Sequence, residues 1–419
     1  MKTKAVRLYG KNDLRLEEFE LPKIKDDEIL AKVISDSLCM SSYKAAVQGE
    51  DHKRVPNDIS SNPIIIGHEF CGEIIEVGSK WTHEFKVNDK FSIQPAMNDE
   101  ANIYAAPGYS FPYIGGDATY IIIPDVVMSN NCLLPYKGDA FYHGSLAEPM
   151  SCIVGAMHVN YHILPNSYIH KMGIVEGGQM ALLAGAGPMG LGMIDYAIHA
   201  KTRPAKLIVT DINEERLNRA AQLYTIEEAK RNQVELQYVN TSDLKDPIAY
   251  LRSLSLDKGF DDVYVFAPVA SVVEQADAIL AHDGCLNFFA GPTDPMFKAP
   301  FNFYNVHYLA THVAGNSGGN TDDMKEALQM MAEGKIDPSS MITHIGGLNA
   351  VIETTLNLPK IPGGKKLIYN QIDLPLIAIE DLKDSSEPYL IKLGELTAKN
   401  KGLWSYECEE YLLKHGKPI

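Results

Sequence analysis

Two short stretches carry residue types that can do chemistry. In IIIGHEFCGEIIEVG, residues 64–78, His68 and Glu69 stand between three isoleucines and a glycine-punctuated apolar run. An imidazole beside a carboxylate can ligate a divalent cation or carry a proton. The same pair also suits a plain turn between two buried strands, and taken alone the stretch favours the turn. In GAGPMG, Gly185 to Gly190, glycines follow the pattern G-x-G-x-x-G between a strand-like and a helix-like segment. Asp211 follows at the end of the next strand-like run, about 20 residues on, as the dinucleotide fingerprint requires. Gly185 permits the tight turn, Gly187 lets backbone approach a pyrophosphate, and Gly190 allows helix and sheet to pack closely. Pro188 and Met189 open the helix whose free N–H groups would face the phosphates. Asp211, followed by Ile212, would accept hydrogen bonds from the adenosine ribose and repel a 2′-phosphate. That favours NAD(H), while Arg216 a few residues on leaves NADP(H) open.

The elements that must position these residues have two textures. Up to about residue 145, KAVRLYG, EILAKVISDSLC, GHEFCGEIIEVG, VNDKFSIQP and GGDATYIIIP read as short strands bounded by Gly, Asn, Asp or Pro. That pattern predicts a barrel-like β domain. AEPMSCIVGAMH then takes helical spacing, with Glu148 and Pro149 at its start. Between 179 and 316 strand and helix alternate: MALLAGA, PMGLGMIDYAIHAK, KLIVTD, NEERLNRAAQLY, DDVYVFAP, VVEQADAILA and GCLNFFAG. Such alternation predicts a parallel sheet wrapped by helices. TDDMKEALQMMAEGK is a further amphipathic helix, and the segment from about Asp373 mixes polar and apolar residues with helical stretches.

Composition bounds the rest. At 419 residues the chain exceeds one compact core and predicts two domains. A net charge of −16 argues against nucleic acid as a partner. No apolar run approaches the roughly 20 residues of a membrane span, and the charged N-terminus MKTKAVRLYG does not read as a signal peptide. Six cysteines without a C-x-x-C pair suggest reduced thiols in the cytoplasm.

A dinucleotide-binding segment preceded by a β domain with Cys39, GHE and EPMS resembles the zinc-dependent medium-chain dehydrogenase/reductase family, from ILAKVISDSLCMSS to GGKKLIYN. The resemblance implies an α/β fold, with a GroES-like β-rich catalytic domain and a Rossmann domain with a doubly wound parallel sheet. It divides the chain into 1–158, 159–317 and a return to the catalytic domain over 318–419. It also implies that Cys39 and His68 bind catalytic zinc, that Glu148 adds a direct or water-mediated ligand, and that Glu69 ligates or sits beside the ion. Zinc accepts such a set while keeping a position for water or substrate. The family's structural-zinc lobe needs four cysteines, and QPAMNDEANIYAAPGYSFPYIGG has none. One metal is therefore expected. CMSSY replaces the common C-G-S/T-D, leaving Ser41 to begin a proton relay. Lys44 stands where many relatives place a relay histidine, and His52 is an alternative.

Within the family, SLCMSSYKAAVQGEDHKRVP, GCLNFFAGP and NFYNVHYLATHVAGNSGGN resemble a branch that interconverts ketose 1-phosphates and hexitol 6-phosphates, with NADPH as its implied cofactor. A dianionic phosphate needs basic partners, and Lys53 and Arg54 are the candidates beside Lys44 and His52, with Lys365 and Lys366 further away. The expected activity is hydride transfer between a nicotinamide cofactor and a sugar-phosphate ketone by a homodimer or homotetramer. Two rivals remain: a dehydrogenase of unphosphorylated polyols or secondary alcohols, and a dinucleotide sensor without turnover.

Overall fold

The computed structural model describes residues 1–419. Contacts divide the chain into two units, Met1–Ser151 with Asn320–Ile419, and Cys152–Gly319. The first division falls inside the helix Ala147–Val159.

The first unit is built on the strand Ile29–Leu38, almost wholly buried and therefore apolar over most of its length. It pairs with Phe70–Val77 and Tyr120–Ile123, and with Lys365–Tyr369 from the C-terminal part of the chain. The full eight-stranded sheet runs in the order Ile377–Ala378, Ile342–Gly347, Lys365–Tyr369, Ile29–Leu38, Phe70–Val77, Lys90–Ile93, Leu133–Tyr136, with Tyr120–Ile123 beside Ile29–Leu38. A three-stranded sheet, Asp13–Glu20, Lys2–Gly10 and Ile64–Ile65, completes the β structure. Phe70, Phe91, Ile93, Ile121 and Leu133 meet in its core. Asp13–Glu20 was not expected: only Leu14 in DLRLEEFE is buried, so the segment lacks a strand's apolar signature.

The second unit holds a six-stranded parallel sheet in the order Glu235–Asn240, Lys206–Asp211, Gln179–Leu183, Phe260–Val265, Leu280–Phe288, His312–Ala314. This is a doubly wound α/β arrangement whose order reverses between Gln179–Leu183 and Phe260–Val265, the place where such sheets bind ligands. The expected strands and helices between 179 and 291 are present. Glu235–Asn240 and His312–Ala314 are additional strands at the two edges, where half-exposed positions leave no apolar run to read. No helix is long and apolar enough to cross a membrane.

Candidate active site

Sheet register assembles the site. Strand Ile29–Leu38 pairs antiparallel with Phe70–Val77, with Asp36 opposite Phe70, and Ser37 N–H donates to the Glu69 carbonyl at 3.1 Å. Cys39, the next residue after Leu38, therefore arrives beside His68 and Glu69. It sits in extended backbone as the N-cap of the helix Met40–Gln48. On the other side of the same strand, Leu38 pairs with Lys366 and brings Lys365 to the same end. Gly67 makes the approach of His68 feasible. Its φ is +92°, and a Cβ there would fall 2.7 Å from Asp117 N and from an Asp36 carboxyl oxygen.

The ligand atoms of Cys39, His68 and Glu69 all lie within 4.8 Å of one another. Ser41 Oγ is 3.1 Å from Cys39 Sγ and 3.1 Å from His68 Nε2. Ser42 Oγ and Tyr109 OH lie 3.1 Å and 3.0 Å from His68 Nδ1. Lys365 Nζ donates at 2.6 Å to both oxygens of Glu69, and Ser37 Oγ donates to Oε2. Lys365 was expected among distant phosphate partners, and it is instead committed to this buried carboxylate. Lys366 is likewise unavailable, since its ammonium donates to the carbonyls of Pro362 and Gly364.

The charges show what the site can hold. Burial pushes the Cys39 thiol up, and the Glu69 charge adds to it. Burial lowers the His68 imidazole. Burial opposes ionisation of Glu69, but Lys365, His68 and Ser37 outweigh it and hold the carboxyl below its usual range. Burial, with the Glu69 charge, raises Glu148 in the first turn of Ala147–Val159 to about 7. Three acidic groups, Cys39, Glu69 and Glu148, thus face the Lys365 ammonium. A divalent cation would reverse the shifts of both Cys39 and Glu148, and thiolate, imidazole and carboxylate are ligands that zinc accepts together. The residues fit the metal.

The remaining expected residues fall at different distances from this centre. His52 is half-buried and stacks on Tyr109, with ring centroids 5.8 Å apart and planes 11° from parallel. The Arg54 guanidinium stands over the same ring at 5.7 Å, and the Lys53 ammonium over Tyr104 at 5.6 Å. Burial and the cations of Arg54, Lys53 and Lys44 keep the His52 imidazole below its usual range. Lys44 is exposed on its helix. Tyr109, Ser42 and the role of Lys365 were not read from the sequence. Lys365 and Tyr109 enter the site through strand pairing and loop packing, which no spacing rule reaches, and Ser42 enters on the first turn of the helix that Cys39 caps.

In the second unit, the helix Pro188–His199 opens with Gly187 as N-cap and Pro188 in its first turn. A Cβ on Gly190 would lie 2.0 Å from the Gly185 carbonyl oxygen, whereas one on Gly187 would meet nothing within 4 Å. The loop is therefore tight where helix meets strand and open where a phosphate would approach. Asp211 ends its strand, accepting from Asn213 N–H at 3.0 Å and from Ala186 N–H at 3.3 Å. A carboxylate has about four acceptor positions, so two backbone bonds leave room for ribose hydroxyls. Met189 is half-buried in the helix's first turn, and Ile212 is exposed.

Comparison with known proteins defines the class. Residues 25–131 match the alcohol dehydrogenase GroES-like domain, and residues 188–333 match the zinc-binding dehydrogenase family. The chain belongs to the zinc-dependent medium-chain dehydrogenase/reductase family, with a GroES-like domain and a Rossmann domain, and is an oxidoreductase of that type. It is 53% identical over 414 residues to mannitol-1-phosphate 5-dehydrogenase of Aliivibrio fischeri, covering 98% of this chain and 97% of that protein. It is 48% identical over 419 residues to L-sorbose 1-phosphate reductase of Klebsiella pneumoniae, covering 100% and 98%. Among solved structures, 2R,3R-butanediol dehydrogenase of Bacillus subtilis superposes with a TM-score of 0.67 at 21% identity, over 88% of this chain and 99% of the other.

Proposed function

We propose that this protein interconverts a sugar-phosphate ketone and the corresponding hexitol phosphate by zinc-dependent hydride transfer, of the L-sorbose 1-phosphate/D-glucitol 6-phosphate type. The observation that carries the reading is the adjacency of the Cys39–His68–Glu69 donor cluster and the basic residues around Tyr109, whose hydroxyl touches His68 while its ring packs against His52 and Arg54. The printed activities of the two relatives at about half identity support it.

In this reading Cys39, His68 and Glu148 would hold one catalytic zinc, with Glu69, which shares the donor cluster with Cys39 and His68 and is bound by Lys365, either a further ligand or its neighbour. When bound, zinc supplies Lewis acidity toward the substrate oxygen and the nicotinamide supplies or accepts the hydride. The protein's own work is to bind, orient and move a proton. Ser41 Oγ, 3.1 Å from two of the ligand atoms, passes the proton to or from the substrate oxygen. A second group, His52 or Lys44, carries it on. Arg54 and Lys53 take the phosphate, with Arg54 offering a planar fork suited to phosphate oxygens. Gly185, Gly187, Pro188, Met189 and Gly190 seat the pyrophosphate, and Asp211 with Ile212 receives the adenosine ribose, which favours NAD(H) and leaves NADP(H) open.

We further read the chain as a cytoplasmic homodimer or homotetramer acting on a small-molecule substrate, without nucleic acid or membrane as partner. Six free cysteines support the reducing compartment. The open edge strand His312–Ala314, with Val313 exposed, supports self-association.

The test follows nicotinamide absorbance with purified enzyme on hexitol 6-phosphates and ketose 1-phosphates against sorbitol and fructose, with both cofactors. A large phosphate preference in kcat/KM supports the proposal. Equal or better turnover of free polyols would replace it with a general polyol dehydrogenase, and cofactor binding without turnover would leave a sensor.

A further inference from the structure

Tyr109 has contacts in two directions, and they are of different kinds. Its hydroxyl lies 3.0 Å from His68 Nδ1 and 3.3 Å from Nε2, with the two ring centroids 4.9 Å apart. Its ring carries the stacked His52 imidazole and stands under the Arg54 guanidinium. The side chain is 4% exposed, so it is fixed by packing and not free to swing.

The loop that holds it is tied at both ends. Gly108 takes φ +76°, and a Cβ there would fall 1.9 Å from the Gly67 carbonyl oxygen, so the loop lies directly on the backbone preceding His68. Toward the basic residues, Ser110 Oγ donates to the Arg54 carbonyl at 2.7 Å and accepts from Ala106 N–H at 3.0 Å. Arg54 in turn reaches the Tyr104 carbonyl at 3.4 Å. One loop, residues 104–110, therefore fixes both the imidazole of the donor cluster and the segment that bears the cations.

We propose that Tyr109 is a positioning residue that sets the distance between the phosphate-holding cations and the reacting carbon, and so makes the enzyme selective for phosphorylated substrates. The inference rests on the sugar-phosphate reading above. An aromatic face holds a guanidinium by its quadrupole while leaving the N–H edge free for phosphate oxygens. With the ring as a rigid spacer, a phosphate is rewarded only when it stands at the matching reach from the carbonyl. The hydroxyl acts separately, orienting His68.

The two roles separate by substitution. For the wild type, Tyr109→Phe and Tyr109→Leu, kcat and KM would be measured on a ketose 1-phosphate and the corresponding free ketose, with zinc content and melting temperature recorded for each. Tyr109→Phe keeps the ring: kcat should fall on both substrates, and the phosphate preference should stay within about twofold of wild type. Tyr109→Leu removes the ring face: the preference should drop by about tenfold, as expected for losing a partly desolvated cation–aromatic contact, mainly through KM of the phosphorylated substrate. Should Tyr109→Leu fail to fold, Tyr109→Met fills similar buried space without an aromatic face and carries the same expectation. A zinc-loaded, folded Leu or Met variant with unchanged preference overturns the assignment, as does equal loss of preference in Tyr109→Phe. A wild type with no phosphate preference would instead sink the reading beneath it, before any variant is compared.

Discussion

Lys365 shows how one residue controls the charge of the donor cluster. Its ammonium is bound at 2.6 Å by both oxygens of Glu69, and the pair's side chains are only 13% and 1% exposed. Truncating one partner of such a pair strands the other charge without solvent, which costs about 3–5 kcal/mol. Lys365→Met should therefore destabilise the zinc-free protein by roughly that amount in urea unfolding, whereas a loss below about 1 kcal/mol would mean the pair is screened as a surface pair is. The sequence showed His68, Glu69 and the glycine loop because each lies within a short, punctuated stretch. It could not show Lys365, since only pairing of Leu38 with Lys366 brings residues so far apart in the chain together. Tyr109 was hidden for a related reason: YAAPGYS reads as loop, and its value lies in packing on Gly67.

At the scale of elements, the loop before His68 rests on two buried carboxyls. Asp36 and Asp117 are fully buried, and apart from each other their carboxyl oxygens have no side-chain hydrogen-bond partner. Burial raises Asp117 to about 7, and burial with the charge of Asp117 raises Asp36 well above the ordinary range. A proton shared between the two carboxyls accounts for both. Because the folded value is raised, the native state holds its proton more tightly than the unfolded chain. The stability contributed is complete below the ordinary value of 3.8 and is lost as pH rises through about 7. Asp117→Asn should flatten this loss: stability of the wild type relative to the variant should decline between pH 4 and 7, read by denaturant unfolding at each pH. A difference that stays constant across that window would show that the pair does not titrate there. The strands that position this loop were legible as Ile- and Val-rich runs, while the edge strands Asp13–Glu20 and Glu235–Asn240 were not, since a half-exposed edge has no need of a continuous apolar face.

At the scale of the molecule, the C-terminal segment is part of the first unit's core. Leu382, Leu390, Leu393, Trp404 and Leu412 are buried with Ile345, Leu367 and Tyr369 from the sheet side. Glu409 fastens it: its carboxyl accepts from Phe141 N–H at 2.6 Å, Tyr142 N–H at 2.9 Å and Tyr369 OH at 2.9 Å. The helix Phe141–Ser145 that it caps leads through Leu146 into the helix of Glu148. Glu409→Ala leaves three donors unpaired, two of them buried, at about 1–3 kcal/mol for each buried group, so a loss of at least about 2 kcal/mol is expected in thermal or urea unfolding. A loss within about 0.5 kcal/mol, the range of ordinary surface changes, would show that water replaces the carboxyl. From sequence this segment read only as mixed and partly helical, because its one buried acid and scattered leucines acquire meaning from the partners they meet across the chain.

Zinc dependence is tested most directly by the zinc content and activity of the wild type, Cys39→Ser and His68→Ala after chelation and stepwise return of zinc. With Cys39 and His68 as ligands, the wild type should bind one zinc per chain with activity returning in proportion, and Cys39→Ser and His68→Ala should stay zinc-poor, His68→Ala with at least about a hundredfold lower kcat/KM, as expected when a ligand-held Lewis acid is lost. A chelated, zinc-free wild type that retains full turnover, or a His68→Ala variant as active as the wild type, would contradict it.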